Sequence, residues 1–132
     1  MNKDQLIKQR CNLLAVKASN AKPLRSEFPE VEYVTLSVII TFVSGTEVSV
    51  EREYNIRLDR DSLLYVHFPC ANRDCTSLGF DITEIVRDSI RRKAEITEED
   101  IRCDGKEDWK YYNAVGCSCD TTLYCVVIPH FL

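Results

Sequence analysis

Residues 33–58 read Tyr-Val-Thr-Leu-Ser-Val-Ile-Ile-Thr-Phe-Val-Ser-Gly-Thr-Glu-Val-Ser-Val-Glu-Arg-Glu-Tyr-Asn-Ile-Arg-Leu. Val34, Leu36, Val38, Ile40 and Phe42 alternate with Tyr33, Thr35, Ser37, Ile39 and Thr41, the two-residue period of a strand with one face on a core. Ser44-Gly45-Thr46 makes a short turn. Val48, Val50, Arg52, Tyr54, Ile56 and Leu58 then alternate with Glu47, Ser49, Glu51, Glu53, Asn55 and Arg57, which predicts the returning strand of a hairpin with one charged face in water. Ile39 and Val43 leave apolar residues on the second face of the first strand, to be met by an N-terminal helix or by a second copy of the chain.

Downstream of the hairpin, Asp59-Arg60-Asp61-Ser62 is a polar turn and residues 63–68 form a third short strand, so a three-stranded antiparallel meander is the simplest topology. A helix is predicted over 81–94. Asp81 serves as its cap, Glu84 as the returning partner of a capping box, and Phe80 packs on Ile85 as a staple. Ile82, Ile85, Val86, Ser89 and Ile90 face the sheet, and Glu84, Arg87, Asp88, Arg91 and Arg92 face solvent. From Glu95 to Asp108 the chain carries seven acidic residues against Arg102 and Lys106. A short strand around Ile101 and Arg102 delivers Cys103, Asp104-Gly105 turns, and 109–112 adds a further strand. The run Leu123-Tyr-Cys-Val-Val-Ile128 is apolar on both faces, as a central strand is.

Upstream, Pro23 and Pro29 mark 22–30 as an irregular linker. Residues 3–20 form a helix, with Ile7, Cys11, Leu14 and Ala18 on one stripe and Lys3, Lys8, Arg10 and Lys17 off it. Cys11 on that stripe is expected to be a small buried apolar residue. The fold class is therefore α+β: an antiparallel sheet built on the 33–58 hairpin, a capped helix over 81–94 on one face, and an N-terminal helix over 1–22 at the periphery. A chain of 132 residues is expected to make one domain.

Seventeen basic residues against 21 acidic ones leave a mildly negative molecule, with no general attraction to nucleic acid or anionic membranes. No stretch reaches the length of a signal peptide or membrane span, so the sequence predicts a soluble, cytoplasmic protein with no membrane partner. Seven cysteines in that setting are poor material for a disulfide framework, because the cytosol keeps thiols reduced. Six of the seven lie at or after Cys70. Cys70 and Cys75 enclose Ala-Asn-Arg-Asp, residue types suited to a tight turn that aims two sulfurs at one point. Twenty-seven residues follow to Cys103, thirteen more to Cys117, and one more to Cys119. Zinc takes four soft ligands in a tetrahedron, and short-range pairs on separate turns supply them most readily. The spacing predicts Cys70, Cys75, Cys103 and Cys119 as ligands, with Cys117 as the substitute for Cys119. Cys125, inside the apolar run, is expected in the core, and the alternative is that all seven are ordinary thiols.

This arrangement resembles zinc-ribbon and zinc-knuckle proteins, in which a cysteine turn after a strand is matched by a second pair near another strand. The resemblance covers 68–125, and it is departed from by the four-residue first spacing and by the helix between the halves. It implies a structural zinc with no open coordination position, hence folding energy and not catalysis.

Other chemistry is sparse. His67 and His130 are the only histidines; His67, three residues before Cys70, is an alternative ligand. No nucleophile with an orienting base and no glycine-rich phosphate loop is evident. Arg73, Arg87, Arg91, Arg92 and Lys93 form the best basic patch, the basis of an alternative reading as a nucleic-acid-binding zinc module. The favoured reading of Glu84 with Arg87, and of Asp88 with Arg91 and Arg92, is a salt-bridged helix face. A thiol redox protein using Cys117 and Cys119 is a third reading. The leading expectation is a small zinc-stabilised binding or adaptor protein, not an enzyme, whose partner is another protein or a second copy of itself.

Overall fold

A computed structural model describes residues 3–44, 47–71, 79–103 and 121–132. In chain order these form helix α1 (Lys3–Ser19), the short helix α2 (Leu24–Glu27), strands β1 (Val31–Ser44) and β2 (Glu47–Asp59), strands β3 (His67–Phe68) and β4 (Phe80–Asp81), helix α3 (Thr83–Arg91), and strands β5 (Thr97–Arg102) and β6 (Thr121–Phe131). The class is α+β, as the patterning predicts.

Strands β1 and β2 are the hairpin, antiparallel from Tyr33 opposite Asp59 to Ser44 opposite Glu47, with an irregularity between Phe42 and Val43. The alternation is carried into burial. Val34, Val38 and Ile40 are wholly inaccessible and Leu36 nearly so, whereas the residues between them are half-buried or exposed. β6 lies on the other side of β1, with Val38 opposite Cys125 and Ile40 opposite Leu123, and β5 closes that side of the sheet. The order β2-β1-β6-β5 makes β6 a central strand, which explains why its run is apolar on both faces.

The three-stranded meander is corrected by this order. Residues 63–68 do not join the main sheet: only His67 and Phe68 pair, with Asp81 and Phe80, in a separate two-stranded ribbon. Backbone hydrogen bonding diverts the segment, since the amide of Leu64 donates to the carbonyl of Lys22 at 2.8 Å and Pro23 bridges Leu63. The same bonds correct the linker assigned to 22–30. Leu24 is fully buried and Phe28 nearly so, so this proline-bounded stretch contributes to the core.

Helix α3 begins two residues later than expected and without the capping box. Asp81 Oδ1 accepts from the amide of Thr83 at 3.0 Å and from its hydroxyl at 2.6 Å, a local turn that competes with a longer-range cap. Glu84 turns to Arg87 instead. The inward face is as predicted: Ile82, Val86, Ser89 and Ile90 are buried, and Thr97 Oγ1 lies 2.9 Å from Ser89 Oγ, tying α3 to β5. The helix ends in a Schellman turn with Lys93 at φ 52°, its amide bonding the Ile90 carbonyl and the next amide that of Ser89. Cys11 is a further correction. It is exposed, because the body of α1 stands clear of the core, fastened at its C-terminal end by Lys17 Nζ on Asp81 Oδ2 at 3.3 Å.

Candidate metal centre

Two of the predicted ligands each contact Thr121, at the start of β6. Cys70 Sγ lies 3.4 Å from Thr121 Oγ1, and the amide of Cys103 donates to the Thr121 carbonyl at 2.9 Å. These contacts join positions 51 and 18 residues apart in the chain. Each has a structural cause. Cys103 follows Arg102, the last residue of the β5 ladder, which pairs with Thr122; Cys103 and Thr121 are therefore the next facing pair. Facing residues of an antiparallel ladder send their side chains to one side, with Cβ atoms about 4.5–5.5 Å apart. Both are buried, at 3% and 0% exposure.

Cys70 arrives from the ribbon. Phe68 and Phe80 pair across it and are both buried, and the Phe68 ring packs at 4.9 Å on that of Tyr54. Two further bonds hold the ribbon to α3: the amide of Val66 donates to Thr83 Oγ1, and that of Ile82 to the Val66 carbonyl, both at 2.9 Å. Gly79 makes the close approach possible. Its φ is +124°, and a Cβ there would stand 1.9 Å from the Phe68 carbonyl oxygen. Cys70 itself is half-buried, and Ala71 after it is in the core.

Of the other predicted ligands, Cys75, Cys117 and Cys119 lie outside the described residues, as do Arg73, the turn at 104–105 and the strand expected over 109–112. Among the described residues no group of three His, Cys, Asp or Glu side chains is arranged to hold a metal ion. Cys125 is fully buried in the core, as expected, and burial pushes its thiol up to about 11. It stands four residues along β6 from Thr121, about 13 Å away at strand rise. His130 is nine residues along the same strand, about 30 Å away, with its ring stacked on Tyr33 at 4.1 Å. His67 sits in the ribbon opposite Asp81, its ring parallel to that of Tyr65 at 6.2 Å.

The basic helix end is largely committed to ion pairs. Arg87 holds Glu27 through Nε at 3.1 Å and Nη2 at 3.2 Å and also bonds Glu84. Arg91 pairs with Asp88 at 3.3 Å, and Arg92 Nε donates to the Asp88 carbonyl at 3.3 Å. The salt-bridged face is therefore realised for Arg87 and Arg91, while Arg92 bonds the Asp88 backbone. A cleft of about 260 Å³ beside it is lined by Lys17, Tyr65, Asp81, Thr83, Glu84 and Arg87 among others. Its charges satisfy one another: partial burial pushes Asp81 up, but bonds from Thr83 and Lys17 outweigh it and hold the carboxyl below its usual range.

Thr121 is the residue that sequence reasoning passed over. A single threonine has no period to betray it. Its one signal was position, as the first residue of the β6 alternation and two beyond Cys119. No protein-family profile, curated protein or solved structure matches this chain.

Proposed function

We propose that the chain is a small cytoplasmic binding protein without catalytic activity, stabilised by one structural zinc on Cys70, Cys75, Cys103 and Cys119. The observation that supports this reading is that Cys70 and Cys103 both contact Thr121, the first through its sulfur and the second through its backbone amide. Cys119 is two residues from Thr121 in the chain, so connectivity alone keeps its Cα within about 7 Å of that residue. Cys117, four residues away, has a reach of about 14 Å and is the substitute. Cys75 is bounded in the same way by Cys70 and Gly79 on either side of it. Four thiolates around a divalent ion carry a net charge of −2, which Arg73, between Cys70 and Cys75, is placed in sequence to offset.

Such a clasp would tie the ribbon to the β5–β6 end of the sheet and close a loop of about 50 residues from Cys70 to Cys119. Its binding energy would be folding energy. A closed four-cysteine site has no position for substrate, hence the non-catalytic reading. The nucleic-acid alternative is weaker because Arg87 is already held by two carboxylates.

Metal content tests the proposal. Protein purified without added metal should carry one zinc per chain, lost in Cys70→Ser and Cys103→Ser and kept in Cys11→Ser and Cys125→Ser. Absence of bound metal, or retention in the first pair, would remove its basis.

A further inference from the structure

The sheet has a second face. Ile39, Tyr124, Val126 and Ile128 alternate with the core residues of β1 and β6 and so point away from α3, and all four are only half-buried. The register places them between two acidic margins. Glu53, Ile39, Tyr124 and Asp100 form one transverse row, and Ser37, Val126 and Glu98 belong to the next. Glu51, on the same face as Glu53, extends the β2 margin, while Arg102, two beyond Asp100 on that face, ends the β5 margin with a cation. The margins are three strand spacings apart, about 14 Å. An α-helix with its side chains is about 10–12 Å across, so this face is dimensioned for one helix with an apolar stripe and basic flanks. Toward β2 the far end is stopped by Arg57, which lies 3.9 Å over the Tyr33 ring and pairs with Asp59.

Helix α1 offers the charge and a short apolar pair, its other apolar residues being spread round the helix. Its sequence carries Lys3, Lys8 and Arg10 against Asp4, with Lys17 already held by Asp81 of its own copy. Leu13 and Val16, three apart on one face, are 57% and 55% exposed. In a protein, a helix such as this draws most of its stability from packing. It cannot lie on its own outer sheet face, because Lys17 on Asp81, and Lys22 and Pro23 on 63–64, fix its C-terminal end on the α3 side.

We infer that the protein pairs with a second copy of itself, the basic helix α1 of each copy lying along the acid-edged outer face of the other's sheet. The two contacts are equivalent and close on a two-fold axis. This pairing does not depend on the metal reading, since none of the cysteines from Cys70 onward takes part.

Sedimentation velocity on the full chain, over a concentration series at low and high salt, tests it. The expected result is a dimer that loosens as salt rises. Leu13→Glu with Val16→Glu, and separately Ile39→Glu, should each weaken it tenfold or more while far-UV circular dichroism stays unchanged. Should Ile39→Glu fail to fold, Glu53→Lys with Asp100→Lys takes its place with the same expectation. A chain that is monomeric throughout overturns the inference. So does a dimer that survives either the helix set or the sheet set, since helix-on-helix or sheet-on-sheet pairing would each be indifferent to one of them.

Discussion

Cys125 and Cys103 are both buried on the inner face of the sheet, yet their surroundings give them different work. Cys125 faces Val38 across β1 and is fully enclosed, and the loss of solvent raises its thiol to about 11 from an ordinary 9.0. In the unfolded chain the thiol ionises first. Stability is therefore unaffected below pH 9 and falls between there and about 11, by about 1–3 kcal/mol over the window. Urea midpoints measured at pH 8, 9 and 10 should show this decline. Cys125→Ala, though less stable at every pH, should show a flatter profile between 9 and 10; an unchanged slope would assign the decline to other groups. Cys103 and Cys70, by contrast, sit at Thr121, where the chain enters and leaves the segment that holds Cys117 and Cys119.

Among elements, the β3–β4 ribbon is the most exacting. It consists of two residue pairs, and its crossing depends on Gly79 passing the Phe68 carbonyl where no Cβ fits. Gly79→Ala meets both a positive φ and a backbone clash, and should cost about 3 kcal/mol in a thermal or urea melt. A loss under about 1 kcal/mol would mean that the ribbon has another way to close. Period and composition carried the larger elements: β1 and β2 announce themselves by alternation, α3 by its inward face, and β6 by being apolar on both sides. The neighbours of a strand are a different matter. β6 pairs with β1 from some 90 residues away, Tyr33 with His130 and Phe42 with Thr121, and nothing local in either strand names the other. For the same reason the pattern of residues 63–68 points to a third sheet strand, where the structure has a separate ribbon. Of the candidate site, the cysteine spacing singles out Cys70 and Cys103, each of which contacts Thr121. Thr121, which touches both, leaves no pattern to read, and the bond of Asp81 to nearby Thr83 replaces the capping box.

At the scale of the whole molecule, the sheet is packed on one side and, among the described residues, half-exposed on the other, and the proposed clasp lies at the start of β6. The clasp and the open face are separable, and the metal is the central claim. Replacing zinc by cobalt(II) tests it most directly, because visible absorption reports both the geometry and the donor atoms of the ion. Refolded with one equivalent of cobalt, the protein should show the intense d–d bands of a tetrahedral site together with thiolate charge-transfer bands, saturating at one ion per chain and reversed by zinc. Cys70→Ser and Cys103→Ser should abolish or shift them. A weak octahedral spectrum with no charge-transfer absorption, or bands unchanged in those two variants, would contradict the account.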